Sequence, residues 1–90
     1  MIKEECIALL NKKLRYALRS YHASSGLSQE ELAEKMQITS RACSGLENGE
    51  YGFSIFSMMS LFVILPKEEG EQLFTRICNM VTEMLAEEMC

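Results

Sequence analysis

The chain is short of nearly everything that breaks a helix or builds a chemical site. It holds one proline, Pro66, and five glycines in 90 residues, so long stretches are free to stay helical. Its one histidine, His22, stands alone. No nucleophile–base spacing, carboxylate cluster with a histidine, phosphate loop or metal-ligand spacing accompanies it, so neither a catalytic residue nor a cofactor is expected. The four cysteines, Cys6, Cys43, Cys78 and Cys90, are widely spaced and form no Cys-x-x-Cys pair. That argues against bound zinc and for reduced thiols, mostly small core residues, with Cys90 open to oxidation between molecules. The paired glutamates Glu30-Glu31 and Glu68-Glu69 read as helix-start charges.

Long apolar runs are missing too. The longest, Ile55 to Leu65, is too short to cross a bilayer and is broken by Ser57 and Ser60. The opening Met1-Ile2-Lys3-Glu4-Glu5 has no signal-peptide core. A cytoplasmic protein with no membrane partner is expected. Basic charge is also scarce: 9 lysines and arginines against 13 acidic residues give a net charge of −4. The sign varies along the chain. Residues 1–22 are net +3, 23–50 are net −3 and 51–90 are net −4, so the molecule has a basic front and an acidic back.

What is present is 48% hydrophobic residues, too many for a disordered chain and enough for one domain at this length. Ile2, Cys6, Leu9, Leu10, Lys13, Leu14, Ala17, Leu18 and Tyr21 recur in steps of three and four. That spacing predicts a long first helix over about 2–23 (segment 1–23), ended by Ser24-Ser25-Gly26. Ser28-Gln29-Glu30-Glu31 has the form of a capping box and predicts a second helix over 29–36. Thr39 reads as the N-cap of a third, over 40–48, stopped by Asn48-Gly49. A fourth is expected over 54–65, ending before Pro66. A fifth is expected over 66–89, with Pro66 in its first turn. The expectation is an all-α five-helix bundle in a single domain, with the segment 28–48 forming two helices joined by a short turn.

Two helices so joined cross closely, which requires a small residue at the contact, here Ala33. Leu32, Met36, Ile38, Cys43 and Leu46 supply the apolar wedge between them. The stretch from Gly26-Leu27-Ser28-Gln29-Glu30-Glu31-Leu32-Ala33 through Ile38-Thr39 to Leu46-Glu47-Asn48-Gly49 resembles the Xre-type family of Cro and phage-repressor-like helix-turn-helix regulators. The resemblance runs from about Leu14 to Leu65. It implies a phage-repressor-like DNA-binding domain, to which the fifth helix is an addition. It also implies a small transcriptional regulator, a repressor, that reads double-stranded DNA with the helix 40–48 in the major groove.

Position by position, the resemblance implies that Gln29 meets the phosphate backbone and that Ser28 either joins it or serves only as a cap. Thr39 caps the recognition helix and touches phosphate. Ser40, Arg41 and Ser44 face base edges, with Arg41 suited to bidentate pairing with guanine. Asn48 either meets phosphate or only ends the helix. The chain also departs from the family. Gln37 stands in the turn where glycine is usual, Gly45 where a long polar residue often reaches DNA, and Glu50 where a basic residue is common. His22 stands where an arginine often pairs with the glutamate matching Glu47, so a pH-sensitive His22–Glu47 pair is expected.

The fifth helix carries two apolar stripes, Leu73, Ile77, Met80, Met84 and Phe74, Cys78, Val81, Leu85, wider than one packing face needs. A homodimer is expected, joined through Leu73, Phe74, Ile77, Val81, Met84 and Leu85 or through the last two helices together. The other reading packs this whole face on the first helix of the same chain. The acidic balance, Gly45 and Glu50 keep a second function open: a protein-binding module of antirepressor or antitoxin type with weak or no DNA affinity. A regulatory protein partner is compatible with both.

Overall fold

The computed structural model describes residues 3–89; the expected helix start at Ile2 and the oxidisable Cys90 lie outside the described residues. Among them the chain forms five helices and no strand: α1 (Lys3–Ser25), α2 (Gln29–Met36), α3 (Ser40–Asn48), α4 (Ile55–Ile64) and α5 (Lys67–Met89). Among the described residues no helix is long and apolar enough to cross a membrane.

The ends follow the local chemistry. α1 runs two residues past the expected stop. The Ser24 and Ser25 hydroxyls donate back to the carbonyls of Tyr21 and His22, at 3.2 and 3.1 Å, which lets both serines stay helical. Gly26, at φ +74°, then turns the chain out. Ser54 lies just outside α4 as its N-cap. Its hydroxyl accepts from the Ser57 amide, and the Ser57 hydroxyl accepts from the Ser54 amide at 2.8 Å. Leu65 is extended (φ −67°, ψ 147°), as a residue before proline must be. Pro66 sits just ahead of α5 rather than inside its first turn, and its carbonyl accepts the Gly70 amide at 2.9 Å.

Burial is concentrated where the helices cross. Leu14 and Leu18 of α1, Leu32, Ala33 and Met36 of α2, Cys43 and Leu46 of α3, Leu61 of α4 with the adjoining Leu65, and Leu73 and Ile77 of α5 form one cluster. α2 packs chiefly on α3, α1 on α3 and α5, and α4 on α2 and α5. Each fully buried leucine contributes about 1.5–3 kcal/mol of transfer free energy. The N-terminal half of α1 is less covered than its periodicity suggests: Ile7 and Leu9 stay exposed and Cys6 is only half-buried.

α5 divides the expected dimer set. Leu73, Ile77 and Met84 are buried within the chain and Val81 is half-buried, while Phe74 and Leu85 are exposed. The inner stripe packs within the chain, and of the outer one Val81 lies against the core and Phe74 meets the Phe62 ring edge-on. The outer stripe still keeps exposed surface at Phe74, Cys78 and Leu85, so the whole face is not covered as the same-chain reading had it. The thiols divide as well. Cys43 is buried, Cys6 half-buried and Cys78 exposed, all three free, so Cys43 alone of the three is a core residue.

Candidate nucleic-acid interface

The site begins at the first turn of α2. Ser28 is extended (φ −73°, ψ 166°) and its hydroxyl accepts from the Glu31 amide, at 3.1 Å. The Glu31 carboxylate accepts from the Ser28 amide at 2.9 Å. Hydrogen bonding from the Ser28 backbone amide first, and from its side chain second, holds the Glu31 carboxyl below its ordinary pKa. The capping box fixes where α2 starts and leaves Ser28 on the surface.

The turn to α3 is made by Gln37, at φ 61° and ψ 38°. It is the one non-glycine residue among those described with positive φ. Its amide bonds the Glu34 carbonyl at 3.1 Å, and the Ile38 amide the Ala33 carbonyl at 3.0 Å, which closes the end of α2 in the manner of a Schellman cap. Ile38 tucks against the core. Thr39 then caps α3, its hydroxyl accepting from the Ala42 amide at 3.0 Å. Ala33, 2% exposed, is buried in the cluster to which α2 and α3 both contribute.

With Cys43 and Leu46 buried, α3 turns Ser40, Arg41 and Asn48 outward, with Ser44 half-buried beside them. Asn48 donates to the Ser44 hydroxyl one turn earlier, at 3.2 Å, which ties two of the expected contact residues to each other. Gly49, at φ +77° with its amide on the Gly45 carbonyl, ends the helix; Asn48 is its last helical residue. The Arg15 guanidinium packs against Gly49, where a Cβ would come within 3.0 Å of Nη1. A cation there complements the negative end of α3.

Behind this face sits a polar cluster. His22 Nδ1 lies 2.9 Å from Glu47 Oε2 and 3.0 Å from Oε1, and its Nε2 lies 3.1 Å from the Leu27 carbonyl. The Gln29 amide donates to Glu47 Oε1 at 2.8 Å. Glu47 thus ties the end of α1 to the start of α2 from the last turn of α3. Gln29 turns its side-chain amide inward on that link, while its backbone N–H lies at the N-terminus of α2. The Cys43 thiol lies 3.9 Å from Glu47 Oε1. Burial pushes its pKa up, and Gln29 partly offsets this.

Three participants were not picked out from the sequence. Tyr51 lies over Gly45 and occupies the space a Cβ there would need. Asn11 accepts the Phe53 amide at 2.7 Å and packs against Gly52, so α1 anchors the loop after α3. Arg15 is the third. The one available signal was Gly45 itself, because a glycine inside a short helix often marks a close approach.

The chain matches the helix-turn-helix family over residues 18–71. It is 33% identical over 61 residues to an uncharacterized HTH-type transcriptional regulator of Methanothermobacter thermautotrophicus, an alignment covering 68% of this chain and 88% of that protein. No solved structure matches it significantly.

Proposed function

The chain belongs to the Xre/Cro-like helix-turn-helix family, and we propose that it binds double-stranded DNA in a sequence-dependent way as a small transcriptional regulator, repressing by occupying its site and catalysing nothing. The observation that carries this is the outward face of α3: Ser40, Arg41 and Asn48 exposed on a helix whose opposite side is locked into the core. A helix so presented fits the major groove. Arg41 is the base-reading residue, pairing with guanine, with Ser40 and Ser44 beside it. Ser28, Gln29 and Thr39 stand at the N-termini of α2 and α3, where backbone amides meet phosphate and set register.

A homodimer reading two half-sites is part of the proposal. α4 supports it. Apart from Ser57 and Ser60 that helix is apolar, and a helix apolar all round is ordinarily covered on all sides. Yet Ile55, Phe56, Met59 and Val63 are exposed, as are Phe74 and Leu85 of α5. Operation in the cytoplasm, with control through a regulatory protein partner, completes the reading.

The test is selection from randomised duplex DNA with wild-type protein and Arg41→Ala at two salt concentrations. An enriched palindrome that weakens with salt and is lost with Arg41→Ala is expected. No enrichment at low salt would replace the proposal with the protein-binding module that the acidic balance and Glu50 favour.

A further inference from the structure

Gly45 lies at the edge of the outward face of α3, on the side that carries Arg41 and Asn48. Arg41 is one turn before it and Asn48 one turn after, at the spacings i−4 and i+3 that share a helix face, while Cys43 and Leu46 take the buried side. Gly45 is nonetheless buried. What covers it is Tyr51: an added Cβ would run into the Cδ2–Cε2 side of that ring. The recognition helix therefore carries an aromatic ring, supplied from outside the helix, at the position where its own side chain is missing.

The ring is held in place. The Gly45 carbonyl accepts the amides of Glu50 and Tyr51, at 2.8 and 3.4 Å. Two residues on, the Phe53 amide is fixed by Asn11. Tyr51 as a whole is 46% exposed, so one side of the ring rests on α3 and the residue keeps open surface beside Arg41 and Asn48. Arg41 and Asn48, on the same side of α3, are polar, as are Ser40 and Ser44 further round the helix, and all are suited to base-edge hydrogen bonds and phosphates. An apolar surface among them has one major-groove counterpart, the C5-methyl group of thymine.

Resting on the DNA-binding reading above, we propose that Tyr51 is a specificity-determining residue that reads a thymine methyl group through the ring lying over Gly45. The glycine is required so that the ring can lie there.

The experiment replaces each thymine of the selected site by uracil, which removes only the methyl, and measures affinity for wild-type protein and three variants. At one position of each half-site, wild type is expected to lose about four-fold, the weight of one buried methyl. Tyr51→Phe should keep that loss and Tyr51→Ala should abolish it. Gly45→Ala, which leaves the tyrosine in the chain but displaces its ring, should abolish it too. It guards against a Tyr51→Ala protein that fails to fold, and circular dichroism verifies both. Uracil sensitivity that is the same in wild type, Tyr51→Ala and Gly45→Ala at every position overturns the assignment while leaving DNA binding intact. Tighter binding by Tyr51→Ala to both thymine and uracil sites also overturns it, making the ring a cover over α3. A wild-type protein that enriches no sequence overturns the DNA-binding reading itself, and Tyr51's role with it.

Discussion

His22 and Glu47 are 25 positions apart in the chain and meet at 2.9 Å between Nδ1 and Oε2. The other ring nitrogen faces the Leu27 carbonyl at 3.1 Å. The ring is thus held at both of its nitrogens. His22→Ala should therefore cost more than one side-chain contact, about 1–3 kcal/mol, because it leaves a largely buried carboxylate with Gln29 as its main donor. His22→Arg, which keeps two donors in reach, should recover most of that. Urea unfolding of the three proteins measures it. Equal midpoints for wild type and His22→Ala would make the contact incidental.

The capping box at Ser28 and Glu31 gives a pH signature of known sign. Its geometry holds the Glu31 carboxyl below the ordinary glutamate range. Its contribution is thus fully present above the unperturbed value of about 4.3 and is lost as pH falls through the lowered folded-state pKa. Glu31→Gln keeps a hydrogen-bonding group at the same place without the titration. The stability of that variant should fall less than wild type's between neutral pH and pH about 3, and parallel curves would refute the assignment.

Gln37 supplies the third expectation. At φ 61° it occupies backbone space that disfavours any side chain, by about 1 kcal/mol relative to glycine. Gln37→Gly should raise the midpoint of thermal unfolding by that equivalent, less the entropy glycine adds to the unfolded chain. Gln37→Val, β-branched in the same position, should lower it. Neither change should alter binding, since Gln37 lies in the turn and off the outward face of α3. A lower midpoint for the glycine variant would sink the strain argument.

The cysteines should separate by rate. The Cys43 thiol is buried, and burial raises its pKa, so the reactive thiolate is both scarce and covered. Cys78 is exposed. Timed alkylation followed by peptide mass spectrometry should show Cys78 modified early and Cys43 only at the rate of unfolding. Early labelling of Cys43 in folded protein would mean that α3 opens locally.

The parts of this molecule that the sequence announced are those governed by residues close together in the chain. The Ser28–Glu31 box, the Thr39 cap, the Gly49 stop and the Leu65-Pro66 break are chemistry of three or four residues, and each sits within a residue or two of where the sequence put it. The His22–Glu47 pairing was reached through a family resemblance, because nothing local links the two. The Tyr51–Gly45 packing and the Asn11 clamp on Phe53 escaped altogether. The first depends on a loop folding back across a helix face, and the second on contact across 42 positions; periodicity carries neither. The two stripes of α5 were legible, but how they divide between the chain's own core and its outside was not. Spacing fixes which residues share a face, and the positions of α1 and α4 decide which face is covered.

That division makes the dimer testable without confusing dissociation with unfolding. Ile55, Met59 and Val63 follow one another at steps of four along α4, and Ile55 and Val63 are 80% and 79% exposed. A charge at Val63 therefore costs the folded chain almost nothing but places an unpaired carboxylate inside any interface built on this face. Leu73 is buried within the chain, and Leu73→Ala should destabilise it by about 2–5 kcal/mol. In sedimentation at tens of micromolar, wild type is expected as a dimer and Val63→Glu as a monomer with an unchanged melting curve. Leu73→Ala should melt early while still associating where it is folded. If wild type sediments as a monomer the dimer is wrong. If Val63→Glu remains dimeric, the pairing surface is not the exposed face of α4, and Phe74 and Leu85 of α5 are the next residues to charge.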